Sequence, residues 1–231
     1  MRKRRSSREI PLAPPPLARF TRAERHLIRL LGTPRRVQQF LNGLSYNTEL
    51  NGETQQSFRG VVRARRVHCL EAALFAAVVL EQRGVPPLLM SLESIDKLDH
   101  VLFVYRARTG WGSIARSRDP GLHGRRPVFR TARQLALSYV DPYVDKTGRI
   151  TGYGLLDLRS LGQYDWRFAT TNVWKVERAL INLPHRAIRS SDRRIDRLRR
   201  AYLAFIEACP GQKPVDYAGR DAWTPIPRIF T

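Results

Sequence analysis

Between His68 and Arg83 the chain carries a helix that cannot lie at a surface. Leu70, Leu74, Phe75, Val78, Val79 and Leu80 alternate with the small Ala72, Ala73, Ala76 and Ala77, and together they cover almost the whole circumference of a helix over residues 67–83. A helix that is apolar all round has no face for water and must be enclosed by other elements on every side. Gly84 ends it as a C-terminal cap. The residue that opens it is Cys69, so a thiol stands at the start of what should be the most buried element of the fold.

The flanking segments supply the enclosure. Thr21 and Glu24 have the spacing of a capping box, and Leu27, Ile28, Leu30 and Leu31 give the helix behind them an apolar face. Pro34 sits at a first helical position, followed by Val37, Phe40 and Leu41. Residues 44–60 are polar and turn-rich. After the Cys69 helix, Pro86-Pro87 forces extended chain into a strand over 88–92. Residues 100–107 and 111–116 read as a hairpin around Arg108-Thr109-Gly110. In its first arm Val101, Phe103 and Tyr105 share one face and Leu102 and Val104 the other with His100, so the strand is covered on both sides. A short helix is expected over 131–139, mostly turns or short strands over 141–170, and further helices over 172–183 and 191–209. The tail beyond Pro210, with Pro214, Pro225 and Pro227, should wrap the surface. These elements describe an α+β protein: residues 1–20 a basic, proline-rich, disordered arm, and residues 21–231 a single domain with a helical C-terminal extension.

The 231 residues include 41 Lys+Arg against 20 Asp+Glu, a formal net charge of +21. Such a charge favours an acidic partner or nucleic acid. Only five of the basic residues are lysine, and an arginine excess also follows from GC-rich coding. Arg186, Arg189, Arg193, Arg194, Arg197, Arg199 and Arg200 are the densest run, yet Asp192 and Asp196 interleave with them, which favours a solvated, salt-bridged face. No apolar run is long enough to span a membrane, and the basic N-terminus leads into prolines instead of a signal sequence. Two cysteines make no disulfide framework, so a reducing cytoplasm is the default.

Cys69 stands where a thiol can be ionised, because a helix N-terminus stabilises negative charge and presents backbone N–H groups for an oxyanion. Cys209 has no such setting. His100 opens an otherwise apolar strand, where an imidazole is costly without a partner; it is the candidate general base. His68 points about 100° away from its neighbour Cys69 and is a poor base for it. A metal is not expected, because no second close ligand pair accompanies His68, Cys69 and His100, and no other cofactor is implied. If Thr109-Gly110 forms a two-residue turn, hairpin partners sum to 219 and Asp119 lies opposite His100, on the same face. Ser117 is the alternative if the strand is bulged.

Cys69 heading a helix, His100 heading a strand, and a hairpin with Trp111 leading to an acid resemble the transglutaminase-like superfamily over about residues 46–119. The resemblance implies a papain-like α+β core in which Cys69 is the nucleophile, His100 the base, and a thioester forms on Cys69. In the commonest form of the pattern the acid stands four residues after the tryptophan; here Ala115 does, and the first acid is Asp119. The aromatic residue usual after the histidine is replaced by Val101-Leu102.

The expected function is a cysteine-dependent acyl-transfer enzyme hydrolysing an amide or peptide bond, with Asp119 or Ser117 orienting His100. The Cys69 N–H and Gln55 or Gln56 are the candidate oxyanion donors. The alternatives are a basic module that binds nucleic acid without chemistry, or a scaffold on the same fold.

Overall fold

The computed structural model describes residues 13–212. Helices α1 (Arg22–Leu30) and α2 (Pro34–Asn42) lead to a two-residue strand, β1 (Ser45–Tyr46). Helix α3 (Phe58–Ala64) and strand β2 (Arg66–Val67) follow, then the long helix α4 (Cys69–Glu81). Strands β3 (Leu88–Ser94), β4 (His100–Ala107), β5 (Gly110–Ile114) and β6 (Arg125–Phe129) come next, and short helices α5 (Ala132–Leu137) and α6 (Val140–Tyr143) separate them from β7 (Ile150–Asp157). Helix α7 (Trp174–Ile181), strand β8 (Arg186–Ala187) and helix α8 (Asp192–Ala208) complete the described chain.

Six strands form one antiparallel sheet in the order β6-β5-β4-β3-β7-β8. Helix α4 lies on one face, and every residue from Leu70 to Glu81 is buried. Its enclosure comes from α1, α2, α3 and α7 on its other sides: Ile28, Val37, Leu41, Phe58, Val61 and Val176 join its core together with Leu89, Val101 and Phe103 of the sheet. The opposite sheet face carries Met90, Leu102 and Val104, which pack under Leu135 and Ala136 of α5 and Ile195 and Leu198 of α8. The alternation of β4 thus feeds two separate cores, as its two apolar faces required.

Local signals hold where they concern the nearest few residues. Thr21 and Glu24 close the capping box, and Thr33 caps α2 with Pro34 at its first position. Residues 13–20 of the basic arm are not free of the core. Phe20 is buried edge-on against Phe58 and Phe168, and the Gln82 side chain donates to the Pro15 carbonyl. Residues 1–12, and the tail expected to wrap the surface from 213 onward, lie outside the described residues.

Three expectations are corrected. The hairpin turn is Arg108-Thr109, with Ala107 paired to Gly110 and Phe103 to Ile114, so partners sum to 217 and not 219. Residues 44–60 hold β1 and the start of α3. Residues 141–170 hold the eight-residue β7, which pairs with β3 along its whole length. Gly152 and Gly154 make that segment look like turns, but in β7 they admit a close neighbour. A Cβ at 154 would stand 2.6 Å from Leu183 Cδ2, and one at 152 would stand 3.1 Å from His185 Cβ.

Candidate active site

The start of α4 is built by a buried carboxylate. Glu71, fully buried, accepts from the backbone N–H of His68 and of Gln56 (each 3.0 Å), from Thr54 Oγ1 (2.9 Å) and from Asn47 Nδ2 (3.1 Å). One side chain therefore ties the polar 47–56 segment to the first turn of the helix and puts negative charge where the helix dipole favours it. His68 is the N-cap: its Nδ1 accepts from the Leu70 N–H, and its Nε2 lies 2.8 Å from the Thr54 carbonyl. The parallel pairing of β1 with β2, Tyr46 opposite Val67, sets Tyr46 beside the helix start.

Cys69 is the first residue of α4 and is half-buried. Burial alone would raise its thiol, but hydrogen bonds from His100 and then His68, with the charges of both rings, pull it down to about 5. The His68 imidazole moves the opposite way. Burial would lower it, but the thiolate and the Glu71 carboxylate raise it to about 9. The two shifts share one cause, the contact between ring and thiol, and the Leu70 N–H bond to Nδ1 belongs to the neutral ring.

His100 opens β4 opposite Leu92 and is buried. Its Nε2 lies 2.9 Å from the Leu122 carbonyl. A carbonyl can only accept, so Nε2 carries a proton and Nδ1 is left for the thiol. The Tyr139 ring stands edge-on at 6.0 Å between centroids.

Asp119 reaches this region by a different route from the one the hairpin arithmetic assumed. With partners summing to 217 the strand pairing ends at Ile114, and Asp119 is the N-cap of a 3₁₀ turn, Pro120–Leu122. Its Oδ1 accepts from the Gly121 N–H (2.9 Å), and the turn it caps carries the Leu122 carbonyl to His100. Ser117 Oγ accepts from the Asp119 N–H. Ala115, where the commonest pattern would carry an acid, is buried, and the Gln38 side chain bonds both its N–H (3.0 Å) and its carbonyl (2.8 Å). Gln38 thus finishes the ladder edge as another strand would.

Cys69, His68 and His100 open on a cavity of about 630 Å³, and Ser117 and Asp119 are in its wall. Gln55 and Gln56 are not. Gln55 Nε2 donates to Glu177 (2.8 Å), and the Gln56 side chain lies against Gly60. Tyr46 does line the cavity. Burial, and then the charge of Cys69, push its phenol up to about 12, so the hydroxyl stays protonated in the cavity that Cys69 lines. Its only trace in the sequence is an aromatic residue in a polar stretch ahead of the cysteine. Acids are frequent in the wall: Glu49, Asp96, Asp99, Asp119 and Asp145 line it together with Arg118. Burial would raise Asp96, but hydrogen bonds from Ser94, Thr147 and the Leu98 N–H hold it below the usual carboxylate range. Among the described residues no three His, Cys, Asp or Glu side chains gather as a metal site.

No protein-family model matches this chain, and no curated protein does. Solved structures with a related chain path include two of LapG from Legionella pneumophila. One, treated with EGTA, has 16% identity and a TM-score of 0.38 over 62% of this chain and 83% of that one. The other has 15% identity and a TM-score of 0.36 over 62% and 82%.

Proposed function

We propose that this chain is a cysteine hydrolase of transglutaminase-like type that cleaves a peptide or amide bond beside a cationic side chain. The observation that carries the reading is the thiol itself: Cys69 heads a buried helix at a cavity wall, between two imidazoles that lower its proton affinity. In the reaction the Cys69 thiolate attacks the carbonyl carbon, and the oxyanion takes hydrogen bonds from the Cys69 N–H and the Tyr46 hydroxyl. His100 acts as the general acid that protonates the departing amine, leaving a thioester on Cys69. Water then loses a proton to His100 and adds to the thioester. The acid leaves with expulsion of the Cys69 thiolate, and His100 keeps the proton for the next cycle. Asp119 contributes through the turn that aims Leu122 at His100.

The substrate class follows from charge. In a chain with about twice as many basic as acidic residues, a cavity wall whose five carboxylates outnumber Arg118 and the His68 ring reverses the sign of the surface around it. Tyr46, Tyr143 and Tyr202 add aromatic faces to that wall. Carboxylates and aromatic rings together favour a guanidinium or ammonium group.

The test is intact-mass spectrometry with a limiting thiol electrophile, followed by a peptide library graded in charge. One adduct, on Cys69, and turnover of Arg- or Lys-containing peptides that fades as salt rises are expected. Cys69→Ala and His100→Ala should abolish turnover. A preference for acidic peptides would overturn the substrate class, and turnover that survives Cys69→Ala would overturn the mechanism.

A further inference from the structure

Beneath the turn that touches His100 lies a fully buried cation. Arg125, at the start of β6, is 0% exposed. Its guanidinium makes no ion pair with a carboxylate among the described residues, and its Nε has no hydrogen-bond partner. Asp119 is near enough to favour its charge but not to pair with it directly; a buried charge without a direct ion pair is expensive, and a methionine would fill the same space at lower cost. The bonds it does make all go to one short segment. Nη2 donates to the Gly121 carbonyl (2.6 Å), and Nη1 donates to the carbonyls of His123 (2.5 Å) and Gly124 (3.4 Å). The Tyr139 ring lies under the guanidinium, 4.0 Å away. The Tyr139 hydroxyl donates to the same His123 carbonyl (3.0 Å) and meets Ser113 Oγ (2.7 Å), which accepts from the Arg125 N–H (3.0 Å). Gly124 lets this segment lie close against β5, since a Cβ there would stand 2.5 Å from the Ser113 carbonyl oxygen.

We propose that Arg125 is a positioning residue for the Cys69–His100 pair, acting through the Leu122 carbonyl. By holding the carbonyls on both sides of Leu122, the guanidinium removes the freedom of the peptide plane between them and fixes the Leu122 oxygen on His100 Nε2. A carboxylate could not do this, because carbonyls only accept; a guanidinium presents five donors in a rigid fork. The uncharged carbonyl then does what an acid does in a Ser-His-Asp triad: it selects the tautomer that turns the other ring nitrogen to the nucleophile. The inference rests on the reading of Cys69 and His100 as nucleophile and base.

Nitrogen-15 NMR of histidine-labelled full-length protein tests it, with the His100 signal assigned by its loss in His100→Gln. In the wild type, at a pH where the ring is neutral, His100 should be protonated at Nε2 alone. Arg125→Lys keeps the charge, but a single nitrogen cannot span the Gly121 and His123 carbonyls. The variant should show a mixture of tautomers, carboxymethylate Cys69 about tenfold more slowly, and lose about 10²-fold in kcat with KM little changed. Tyr139→Phe removes one donor to His123 and keeps the ring in place, so it should move the same signal by less. It decides the matter if Arg125→Lys does not fold. A wild-type ring protonated at Nδ1, or a folded variant whose His100 signal and alkylation rate stay unchanged, would overturn the proposal. Slow carboxymethylation of Cys69 in the wild type would instead sink the hydrolase reading, and the tautomer measurement would still judge Arg125.

Discussion

At the residue scale, Cys69 and Glu71 show how little of the site is the nucleophile's own property. A free thiol titrates at about 8.5. Lowering to about 5 at Cys69 arises because His100 and His68 stabilise the thiolate more than burial destabilises it. Since the shift is downward, thiolate is present above the shifted value and lost as pH falls through it. We predict that the alkylation rate of Cys69 rises through an inflection near pH 5, and that both His100→Ala and His68→Ala move the inflection toward that of the unfolded chain. A curve superimposable on the unfolded chain's would refute the assignment. Glu71 serves four donors at once, each worth about 1–3 kcal/mol if left unpaired. Glu71→Ala should therefore cost about 4 kcal/mol or more in urea unfolding and loosen the 47–56 segment enough to appear as faster amide exchange.

At the scale of elements, α4 and β7 carry opposite lessons about packing. Helix α4 is surrounded on every side, so Leu74, with no exposed surface, has nowhere to collapse when truncated. Leu74→Ala is expected to cost about 2–5 kcal/mol by denaturant titration. In β7 the danger is excess. Gly154→Ala puts a Cβ 2.6 Å from Leu183 Cδ2, a clash that the Leu183 side chain can only partly relieve. A loss of about 1–3 kcal/mol is expected. Leu183→Ala in the same chain should restore part of it, which a simple strand-propensity penalty would not allow.

At the scale of the whole molecule, the charge is divided unevenly. The cavity wall is acidic, while much of the arginine run on and before α8 faces outward. Some of that run is already engaged: Arg194 pairs with Asp141, Arg149 with Asp192, and Arg199 donates to the Asp145 carbonyl. Arg193, Arg197 and Arg200 are exposed. Any binding of a polyanion should accordingly weaken steeply with salt and be unchanged by Cys69→Ala. Replacing Arg193, Arg197 and Arg200 together by Ala should reduce the slope of log K against log salt. Binding that persists at high salt, or that prefers one nucleotide sequence, would favour the nucleic-acid alternative. No helix among the described residues is long and apolar enough to cross a membrane.

What the sequence determined by itself is local. The all-apolar circumference of α4, the Thr21–Glu24 box, Pro34 at its helix start, the stop at Gly84 and the double-faced β4 each follow from residues a few positions apart. Periodicity and capping act over that range. Cys69 at the helix start was readable for the same reason. The tertiary structure decided what holds His100. A hairpin turn displaced by one residue changes the partner sum from 219 to 217, and the ladder stops at Ile114, short of any partner for His100. The group that meets Nε2 is the backbone carbonyl of Leu122, which every residue type carries and no side chain announces. Tyr46 is brought to the cavity that Cys69 lines by a two-residue strand too short to show a pattern. The glycines of β7 could not reveal that they admit Leu183 and His185, because a glycine reads alike in a turn and in a crowded strand. Contacts of this kind join residues far apart in the chain, and only the packed fold brings them within reach of each other.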